Sequence, residues 1–458
     1  MSEPDLNRFR DKLRQAKMLL CRGSVVRVSG LTIESKGPPV GVGQLCEIHT
    51  AEGRRVPAEV VAFQGARRIL VPLEDVGSVA PNDPVIPVSV PRTILLGDSL
   101  LGRVVDGLGR PIDGKGPTGG TEPRRLDCPS PPPMSRRKIT QPLVFGIRSL
   151  DGLLTCGKGQ RIGIFSGSGV GKSTLLGEIA RVSEADVNVL ALVGERGREV
   201  RQFLEESLGP EGLARSVVVV ATSDTSPVQR VKATFTAAAI AEYFRDRGKD
   251  VLFMMDSLTR MAQAQREIGL AAGEPPTTKG YCPSVFSVLP RLTERLGATE
   301  AGSITGILTI LVEADDLNDP VADCARSLLD GHVVLSRQLA EMGHYPAVDI
   351  LASVSRLMTA VADPRHVAAA RSFRTIYATY RGAEDLINIG ALAPGTNRRI
   401  DKAVSLIDQV NEFLNQPVGQ RSSFDQTRRR LMEITESWDA LLPAEPAPAG
   451  APPDRARR

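Results

Sequence analysis

The sequence predicts an α/β protein whose central domain is a parallel sheet covered by helices, with a small β-barrel before it and a helical region after it. Between about residues 150 and 350, apolar β-type runs alternate with helical stretches, a pattern typical of parallel sheets. Residues 22–92 contain several short β-type segments separated by Gly and Pro, which favours a barrel. After Pro364 the apolar spacing becomes helical.

The composition is that of a soluble globular protein and excludes several other classes. Hydrophobic residues make up 41% and charged residues 24% of the 458 positions. No apolar run approaches the ~20 residues of a membrane span, and the first residues lack the apolar stretch of a secretory signal. A net charge of +4 and 4% aromatic residues give little support for nucleic-acid binding. The six cysteines are scattered without zinc-site spacing, which indicates reduced thiols.

The two ends of the chain differ from the rest. Residues 1–21 are predicted to form an amphipathic helix, with an apolar stripe that includes Leu6, Phe9 and Leu13 and basic residues around it. This helix either packs on its own domain or docks a partner or an anionic membrane surface. Residues 442–458 are rich in Pro and Ala and are predicted to be disordered.

The strongest motif is a glycine-rich phosphate-binding loop. It follows a strand at residues 161–165 and opens a helix, and it reads Ser166-Gly167-Ser168-Gly169-Val170-Gly171-Lys172-Ser173-Thr174. Glycines let successive backbone N–H groups surround phosphate oxygens, and the helix N-terminus adds partial positive charge. Lys172 is expected to reach the β- and γ-phosphates, and the Ser173 hydroxyl to bind Mg²⁺. Ser166 replaces the first Gly of the usual pattern, but that position needs only a small residue; the alternative is a glycine turn with an incidental lysine.

A second element is the apolar run at residues 251–255, which ends in Asp256. A carboxylate at the end of a buried strand suits a Mg²⁺ position beside the loop, either direct or through a water molecule. Many strands end in Asp, so this pattern becomes informative only because it follows the phosphate-binding loop by about 80 residues.

Several further stretches occur in a family-specific order. They are residues 95–113, 159–174, 193–199, 255–260, 329–337, 343–349 and 353–356. Together they resemble the type III protein-export ATPases of flagella and injectisomes, relatives of the catalytic subunits of rotary ATP synthases. The resemblance implies Mg²⁺-dependent hydrolysis of ATP to ADP and phosphate. It also implies a docking helix (1–21), a β-barrel (22–92), a RecA-like ATPase domain (93–362), a C-terminal helical domain (363–441) and a tail (442–458).

Glu195 matches the family's catalytic glutamate. A carboxylate there can polarise and orient the water that attacks the γ-phosphate. The strand at residues 187–193, just before it, is expected to lie beside the strand that leads into the phosphate-binding loop. The alternative for Glu195 is a surface ion pair with Arg196 or Arg198.

Three other residues receive roles from the resemblance. Arg356 resembles the arginine finger that reaches into a neighbouring subunit's site, where a guanidinium stabilises developing phosphoryl charge; a salt bridge within its own subunit is the alternative. Tyr345, followed by the rigid Pro346, resembles the adenine-stacking aromatic residue, unless it is an ordinary core or rim tyrosine. Arg260 matches an arginine near the phosphates, but it could equally brace Glu195 or an interface.

The resemblance also implies partners and a location. These are a homohexameric ring, a stalk-like protein in the ring pore faced by residues 269–286, a stator-like regulator bound by the N-terminal helix, and the export gate with its substrates and chaperones. No nucleic acid is expected. The location implied is cytoplasmic, peripheral at the inner membrane. The stretch 384–390 looks slightly more flagellar than injectisome-like.

Three rival functions stay open at this point. A rotary ATP synthase or vacuolar-type catalytic subunit shares the core motifs. A hexameric nucleic-acid motor of the transcription-termination type shares the nucleotide site, but residues 22–92 lack its aromatic run. A catalytically dead scaffold that only binds nucleotide is opposed by the presence of Lys172, Ser173, Glu195, Asp256 and Arg356 together.

Overall fold

The computed structural model describes residues 21–88, 93–312, 319–393 and 395–440. The docking helix predicted over residues 1–21 lies outside the described residues except for Cys21, and the tail predicted over 442–458 lies outside them entirely. The described chain forms a barrel, a central sheet with helices on both faces, and a group of C-terminal helices. Among these described segments, no helix is both long enough and apolar enough to span a bilayer.

Six strands close the predicted N-terminal barrel in the order β1-β2-β5-β4-β3-β6. They are β1 (Gly23–Ser29), β2 (Thr32–Lys36), β3 (Leu45–His49), β4 (Arg55–Gln64), β5 (Arg67–Pro72) and β6 (Pro84–Pro87). Alternate side chains point inward and are buried, among them Val25, Ile33, Ile48 and Val60. Closure leaves no unpaired strand edge, which explains how so small a core suffices.

The remaining strands build the central domain. They are β7 (Thr93–Leu96), β8 (Arg103–Asp106), β9 (Glu122–Arg125), β10 (Pro142–Leu143), β11 (Cys156–Gly157), β12 (Arg161–Ser166), β13 (Val187–Val193), β14 (Ser216–Ala221), β15 (Asp250–Asp256), β16 (Gly297–Ala298), β17 (Ser303–Leu311), β18 (Gly331–Leu335) and β19 (Val348–Ser355). Nine of them form one sheet in the order β19-β18-β12-β17-β15-β13-β14-β8, with β16 paired to β17.

The helices connect and cover these strands. They are α1 (Arg148–Leu153), α2 (Lys172–Val182), α3 (Gly197–Gln202), α4 (Gly209–Ala214), α5 (Pro227–Arg245), α6 (Leu258–Ala271), α7 (Pro283–Thr293), α8 (Pro320–Leu328), α9 (Arg337–Glu341), α10 (Met358–Val361), α11 (Pro364–Asn388), α12 (Arg398–Leu414) and α13 (Phe424–Asp439). A π-helical segment, Phe203–Leu208, follows α3 directly.

The predicted parallel sheet is confirmed, with two exceptions to parallel pairing. Strands β8, β14, β13, β15, β17, β12 and β18 run parallel, whereas β19 and the short β16 run antiparallel. Strand β8 precedes the region in which the alternating pattern predicted the sheet, and it adds to the edge beyond β14. Its four residues are too short to give a periodic signal of their own.

Alternating side chains divide the sheet into two buried faces. On one face, residues such as Leu190 and Leu192 pack with α2 and with the C-terminal helices. On the other face, residues such as Val189 and Ala191 pack with α5, α6, α7 and α8. Because both faces are covered, the strands are largely apolar on both sides.

Strand order overturns one expectation from the sequence. Strand β13, which precedes Glu195, does not lie beside β12, because β17 and β15 lie between them. Both intervening strands come later in the chain and are almost entirely buried and apolar. They therefore pair in the middle of the sheet, a long-range outcome that local sequence does not encode.

The C-terminal helices α11, α12 and α13 pack on one another and on α1. Their core contains Phe373, Phe413 and Trp438, with the two phenyl ring centroids 5.1 Å apart. The connection from α12 to α13 runs back to the central domain, where it reaches the site described next.

Candidate active site

The phosphate-binding loop lies at the carboxyl end of β12 and leads directly into α2. Gly169 and Gly171 have φ values of 80° and 87°, a conformation that L side chains rarely adopt. A Cβ on Gly171 would also lie 3.3 Å from the Tyr345 ring. Ser173 and Thr174 are exposed on the first turn of the helix, where a phosphate group and its metal ion can reach their hydroxyls.

The Lys172 ammonium lies between two carboxylates. Its Nζ is 2.5 Å from Oδ1 of Asp256 and 3.9 Å from Oε1 of Glu195. The same Asp256 oxygen accepts a hydrogen bond from the Thr309 hydroxyl at 2.8 Å. All three charged side chains are less than one-fifth exposed. The structure therefore brings together the three residues for which the sequence predicted phosphate, metal and water chemistry.

Glu195 owes its position to a tight turn after β13. Gly194 has a φ of 76°, and its N–H donates to the Ala221 carbonyl at 2.7 Å. The Glu195 carbonyl in turn accepts from Ser223 N at 3.0 Å. A Cβ at Gly194 would lie 2.8 Å from Cβ of Arg260, so the arginine stem occupies space that only glycine leaves open. The Arg260 stem thus lies beside Gly194, and its positive charge acts on the neighbouring Glu195 carboxyl.

The surroundings of Glu195 raise the pKa of its carboxyl. Burial raises the pKa of the Glu195 carboxyl, and the nearby Asp256 carboxylate raises it further. The positive charges of Lys172 and Arg260 lower the pKa in part, but the net shift is upward from the ordinary value of 4.5. A raised pKa strengthens the carboxylate as a proton acceptor near neutral pH.

A cavity of about 290 Å³ adjoins the loop on the side away from Glu195. Tyr345, Pro346 and Ala347 form one wall, and the first turns of α2 form the floor. Tyr345 is 40% exposed, which leaves a ring face available for stacking. The volume and the apolar walls suit a flat heteroaromatic group whose attached phosphates lie in the loop.

The other wall comes from the connection between the C-terminal helices α12 and α13, and local sequence did not predict it. It consists of Gln416, Pro417 and Val418, in the connection between α12 and α13. Gln416 N donates to the Tyr345 carbonyl at 2.8 Å, and Tyr345 N donates to Oδ1 of Asn415 at 3.4 Å. A Gln-Pro pair after a helix is too common a local signal to predict such a long-range contact.

Tyr345 and Arg356 precede and follow β19 and therefore lie at opposite edges of the sheet, and because β19 runs antiparallel to β18, Tyr345 lies at the edge that carries the loop. Val348 pairs with Leu335 near the loop, whereas Ser355 pairs with Gly331 four residues away along β18, or about 13 Å at strand geometry. Arg356 is exposed and donates to the Arg326 carbonyl at 3.5 Å. Within the described residues it makes no ion pair with a carboxylate, so the salt-bridge alternative finds no support there.

The donor set fits a Mg²⁺ ion. Mg²⁺ prefers oxygen ligands and is usually held by one or two carboxylates or hydroxyls together with substrate phosphates and water. The exposed Ser173 hydroxyl and the Asp256 carboxylate supply such ligands next to the loop. When bound, the ion would neutralise phosphate charge at this point.

Comparison with protein families identifies two regions of the chain. Residues 146–355 match the ATP synthase alpha/beta family, nucleotide-binding domain, and residues 362–433 match the T3SS EscN ATPase C-terminal domain. The chain is 52% identical to the flagellum-specific ATP synthase of Bacillus subtilis (strain 168), over 90% of this chain and 95% of the relative. It is 48% identical to the type 3 secretion system ATPase of Xanthomonas euvesicatoria, over 90% and 94%.

Solved structures give the same result. The chain matches the assembled ATPase EscN of the enteropathogenic E. coli type III secretion system with a TM-score of 0.85 and 44% identity, over 90% of this chain and 100% of that one. EscN in complex with its central stalk EscO matches with a TM-score of 0.83, at the same identity and coverage. The predicted fold class and the predicted resemblance are both confirmed.

The shifted titration of Glu195 predicts a pH-dependent change in stability. The folded state favours the neutral Glu195 carboxyl, so the protonated carboxyl adds to the free energy of unfolding. This contribution is present below pH 4.5 and is lost as pH rises through the higher folded-state pKa. Glu195→Gln stays neutral and should therefore unfold at a higher temperature than the unmodified protein at pH 7, with no difference at pH 4. Glu205→Gln, at an exposed side chain, is the matched control. A Glu195→Gln protein that is less stable at pH 7 would contradict the upward shift.

Proposed function

This chain belongs to the family of flagellum-specific and type III secretion ATPases, and from that premise we propose how its own residues hydrolyse ATP. It is an ATPase of the type III export class. The proposal rests on one observation, the convergence of Lys172, Glu195 and Asp256 at the carboxyl edge of the sheet. Ligands bind at this edge in open α/β sheets because loops and helix N-termini meet there.

Each residue around the loop has a separate task. The phosphates are held by the backbone N–H groups of residues 167–171 and by the Lys172 ammonium. The positive charge of these groups counters the negative charge of the triphosphate. Ser173 and Asp256 would hold Mg²⁺, which would supply positive charge beside the phosphates. Glu195 accepts a hydrogen bond from water and aligns it for in-line attack, aided by a raised pKa. Thr309 fixes the Asp256 carboxylate through its hydrogen bond.

The base is bound by a residue of the same subunit, whereas the transferred phosphate also needs a residue from a neighbouring subunit. Tyr345 stacks on adenine in the cavity beside Gly171. Arg356 lies at the far edge of its own sheet, so it can serve only a neighbour's phosphates. We therefore propose a homohexameric ring in which each Arg356 completes the adjacent site, a head-to-tail contact that closes on itself. Arg260 braces Glu195 from the same subunit.

The proposed partners follow the family. A stalk-like protein would enter the ring pore, as EscN is in complex with its central stalk EscO. A stator-like regulator would bind residues 1–21, and the export gate, chaperones and substrates would receive the work of hydrolysis at the inner membrane. Flagellum-specific relatives are 45–52% identical to this chain and type 3 secretion system relatives 45–48%, so these overlapping ranges do not distinguish the two systems.

Removing the phosphate-binding ammonium or the water-orienting carboxylate should stop hydrolysis by different routes. We expect Lys172→Ala to lose ATP binding and turnover. We expect Glu195→Gln to bind ATP but to hydrolyse it at least ~100-fold more slowly, because general-base contributions are typically 10²–10⁴-fold. Phosphate release and nucleotide binding measure both effects, with Lys36→Ala on the barrel and Glu205→Gln as controls. Near-normal turnover in either variant would remove that residue from the mechanism.

Mixing two inactive proteins tests whether Arg356 acts on a neighbouring subunit. Arg356→Ala alone should lose ~10³-fold or more of the turnover. In equal mixtures with Lys172→Ala, about a quarter of the interfaces would pair an intact loop with an intact Arg356 if subunits assemble at random around a head-to-tail ring, so activity should return.

The matched control is a mixture of Lys172→Ala with Glu195→Gln. Both defects act within one subunit's own site, so this mixture should stay inactive. Failure of the Arg356→Ala mixture to recover, in oligomers verified to contain both proteins, would assign Arg356 to its own subunit.

Deleting residues 1–18 tests the proposed stator contact. We expect the truncated protein to lose binding to the stator-like regulator while its intrinsic ATP turnover stays within about twofold, because the site residues lie elsewhere in the chain. Co-purification and phosphate release measure the two properties. Full regulator binding by the truncated protein would reject this role for the N-terminal segment.

A further inference from the structure

We propose that Gln160 is a positioning residue for Arg356 and so acts on the nucleotide site of the neighbouring subunit. The inference rests on the proposed function, in which Arg356 completes the adjacent site, and extends it to a residue inside the sheet. Its basis is that the Gln160 side chain binds the residue before Arg356, Ser355, and also the Asp330 carbonyl, which accepts from Arg356 N.

Arg356 takes its position mainly from its backbone. Its side chain is exposed, and Nη2 donates to the Arg326 carbonyl at 3.5 Å, a long hydrogen bond that restrains a guanidinium weakly. The backbone is held more closely. Arg356 N donates to the Asp330 carbonyl at 3.0 Å, and Ser355 pairs with Gly331 at the end of β19. These backbone contacts set the direction in which the arginine leaves the sheet.

The Gln160 amide joins both of these backbone positions. Its Nε2 donates to the Asp330 carbonyl at 3.2 Å and to the Ser355 hydroxyl at 3.1 Å. Its Oε1 accepts from Gly157 N at 2.8 Å. The Ser355 hydroxyl donates onward to the Thr155 carbonyl at 2.8 Å. Both hydrogens and the oxygen of the amide are thus used, which fixes the orientation of the side chain.

Burial makes this arrangement rigid. Gln160 and Thr155 are fully buried, and a buried polar group that loses its partner gains no water in exchange. An apolar side chain at position 160 would leave the Ser355 hydroxyl and the Asp330 carbonyl with one partner fewer. The end of β19 would then lose a restraint immediately before Arg356.

Two routes lead from the Gln160 amide to a nucleotide. Gln160 directly precedes β12, whose six residues, or about 20 Å at strand geometry, end at the phosphate-binding loop of the same subunit. The other route runs through Ser355 and Arg356 to the neighbour's phosphates. The contacts favour the second route, because the side chain bonds directly to groups beside Arg356 and reaches the loop through the whole length of β12.

Gln160→Met removes the amide and keeps the length of the side chain. We expect ATP to bind with an unchanged Kd, because the loop and base cavity of the same subunit are left intact. We expect kcat to fall ~10–100-fold, because a catalytic group displaced by about 1 Å can cost ~10²-fold. Nucleotide binding and phosphate release measure the two properties. An unchanged kcat would overturn the inference.

Asn188→Leu is the matched control for loss of a buried amide. Asn188 is fully buried and also donates to a backbone carbonyl and to a serine hydroxyl, but it lies on β13, away from Arg356. We expect its kcat to stay near that of the unmodified protein.

Ser355 tests the same link through a smaller change at a half-buried residue. Ser355→Ala removes the hydroxyl that accepts from Gln160, whereas Ser355→Thr keeps a hydroxyl. We expect kcat to fall several-fold in Ser355→Ala and to be retained in Ser355→Thr. Full turnover by Ser355→Ala would count against a hydrogen-bonded link to Arg356.

Mixed oligomers distinguish the two routes. If Gln160 acts through Arg356, a mixture of Gln160→Met with Lys172→Ala should exceed the summed activities of the separate proteins, because some loops then face an Arg356 with an intact Gln160. A mixture of Gln160→Met with Arg356→Ala should show no gain. The reverse pattern would assign Gln160 to the loop of its own subunit and would overturn the inference.

A double variant separates this inference from the proposed ring. If Gln160 acts through Arg356, Gln160→Met should cause no further loss of turnover in the Arg356→Ala protein, since residues that act as one unit are not additive. A further ~10-fold loss or more would overturn the inference. This result is independent of which subunit Arg356 serves. If the mixture of Arg356→Ala with Lys172→Ala shows no recovery, the proposed ring fails, and the double variant decides whether Gln160 positions Arg356.

Discussion

The contact of one ammonium with two carboxylates organises the whole site. Lys172 opens a helix, Asp256 ends β15 and Glu195 follows β13, yet both carboxylates lie within 4 Å of Lys172 Nζ. A buried cluster of this kind is stable only when charges are paired and hydrogen-bonded. The net charge of the trio is −1, and Thr309 and Arg260 supply the further polar and positive partners. The sheet order has to bring these strand ends together, so the architecture of the domain is constrained by this one cluster.

The cluster also explains why two similar carboxylates can take different tasks. Asp256 contacts the ammonium at 2.5 Å and a hydroxyl at 2.8 Å, an environment that suits a fixed anionic ligand of a metal ion. Glu195 is farther from Lys172, and burial together with the charge of Asp256 raises its pKa. The two carboxylates thus differ in their distance to Lys172 and in their contacts, and burial is the largest cause of the upward pKa shift of Glu195.

The parts of this site that sequence could predict are those specified by adjacent residues. The loop from Ser166 to Thr174 needs only a strand, glycines and a helix start, and all three are local. Strand order is a long-range property, so the expectation that β13 borders β12 was wrong. The wall formed by Gln416 was missed for the same reason, since it depends on hydrogen bonds to residues about 70 and 270 positions away. The barrel was predictable because period-two burial and glycine turns repeat within each hairpin.

In the proposed ring, strand β19 would link the sites of two adjacent subunits. All central strands that pair with β12 run toward the phosphate-binding loop, but β19 runs away from it. Its beginning therefore places Tyr345 at the base cavity of its own subunit, and its end places Arg356 at the opposite edge. In the proposed ring, eight residues of one rigid strand connect the base of one nucleotide with the phosphates of the next. A shift of β19 on nucleotide binding would move Arg356 with it, because a hydrogen-bonded strand transmits displacement along its axis more readily than a loop does. A parallel strand at this edge would exchange the two ends, so that Arg356 would lie beside the loop of its own subunit and Tyr345 at the opposite edge.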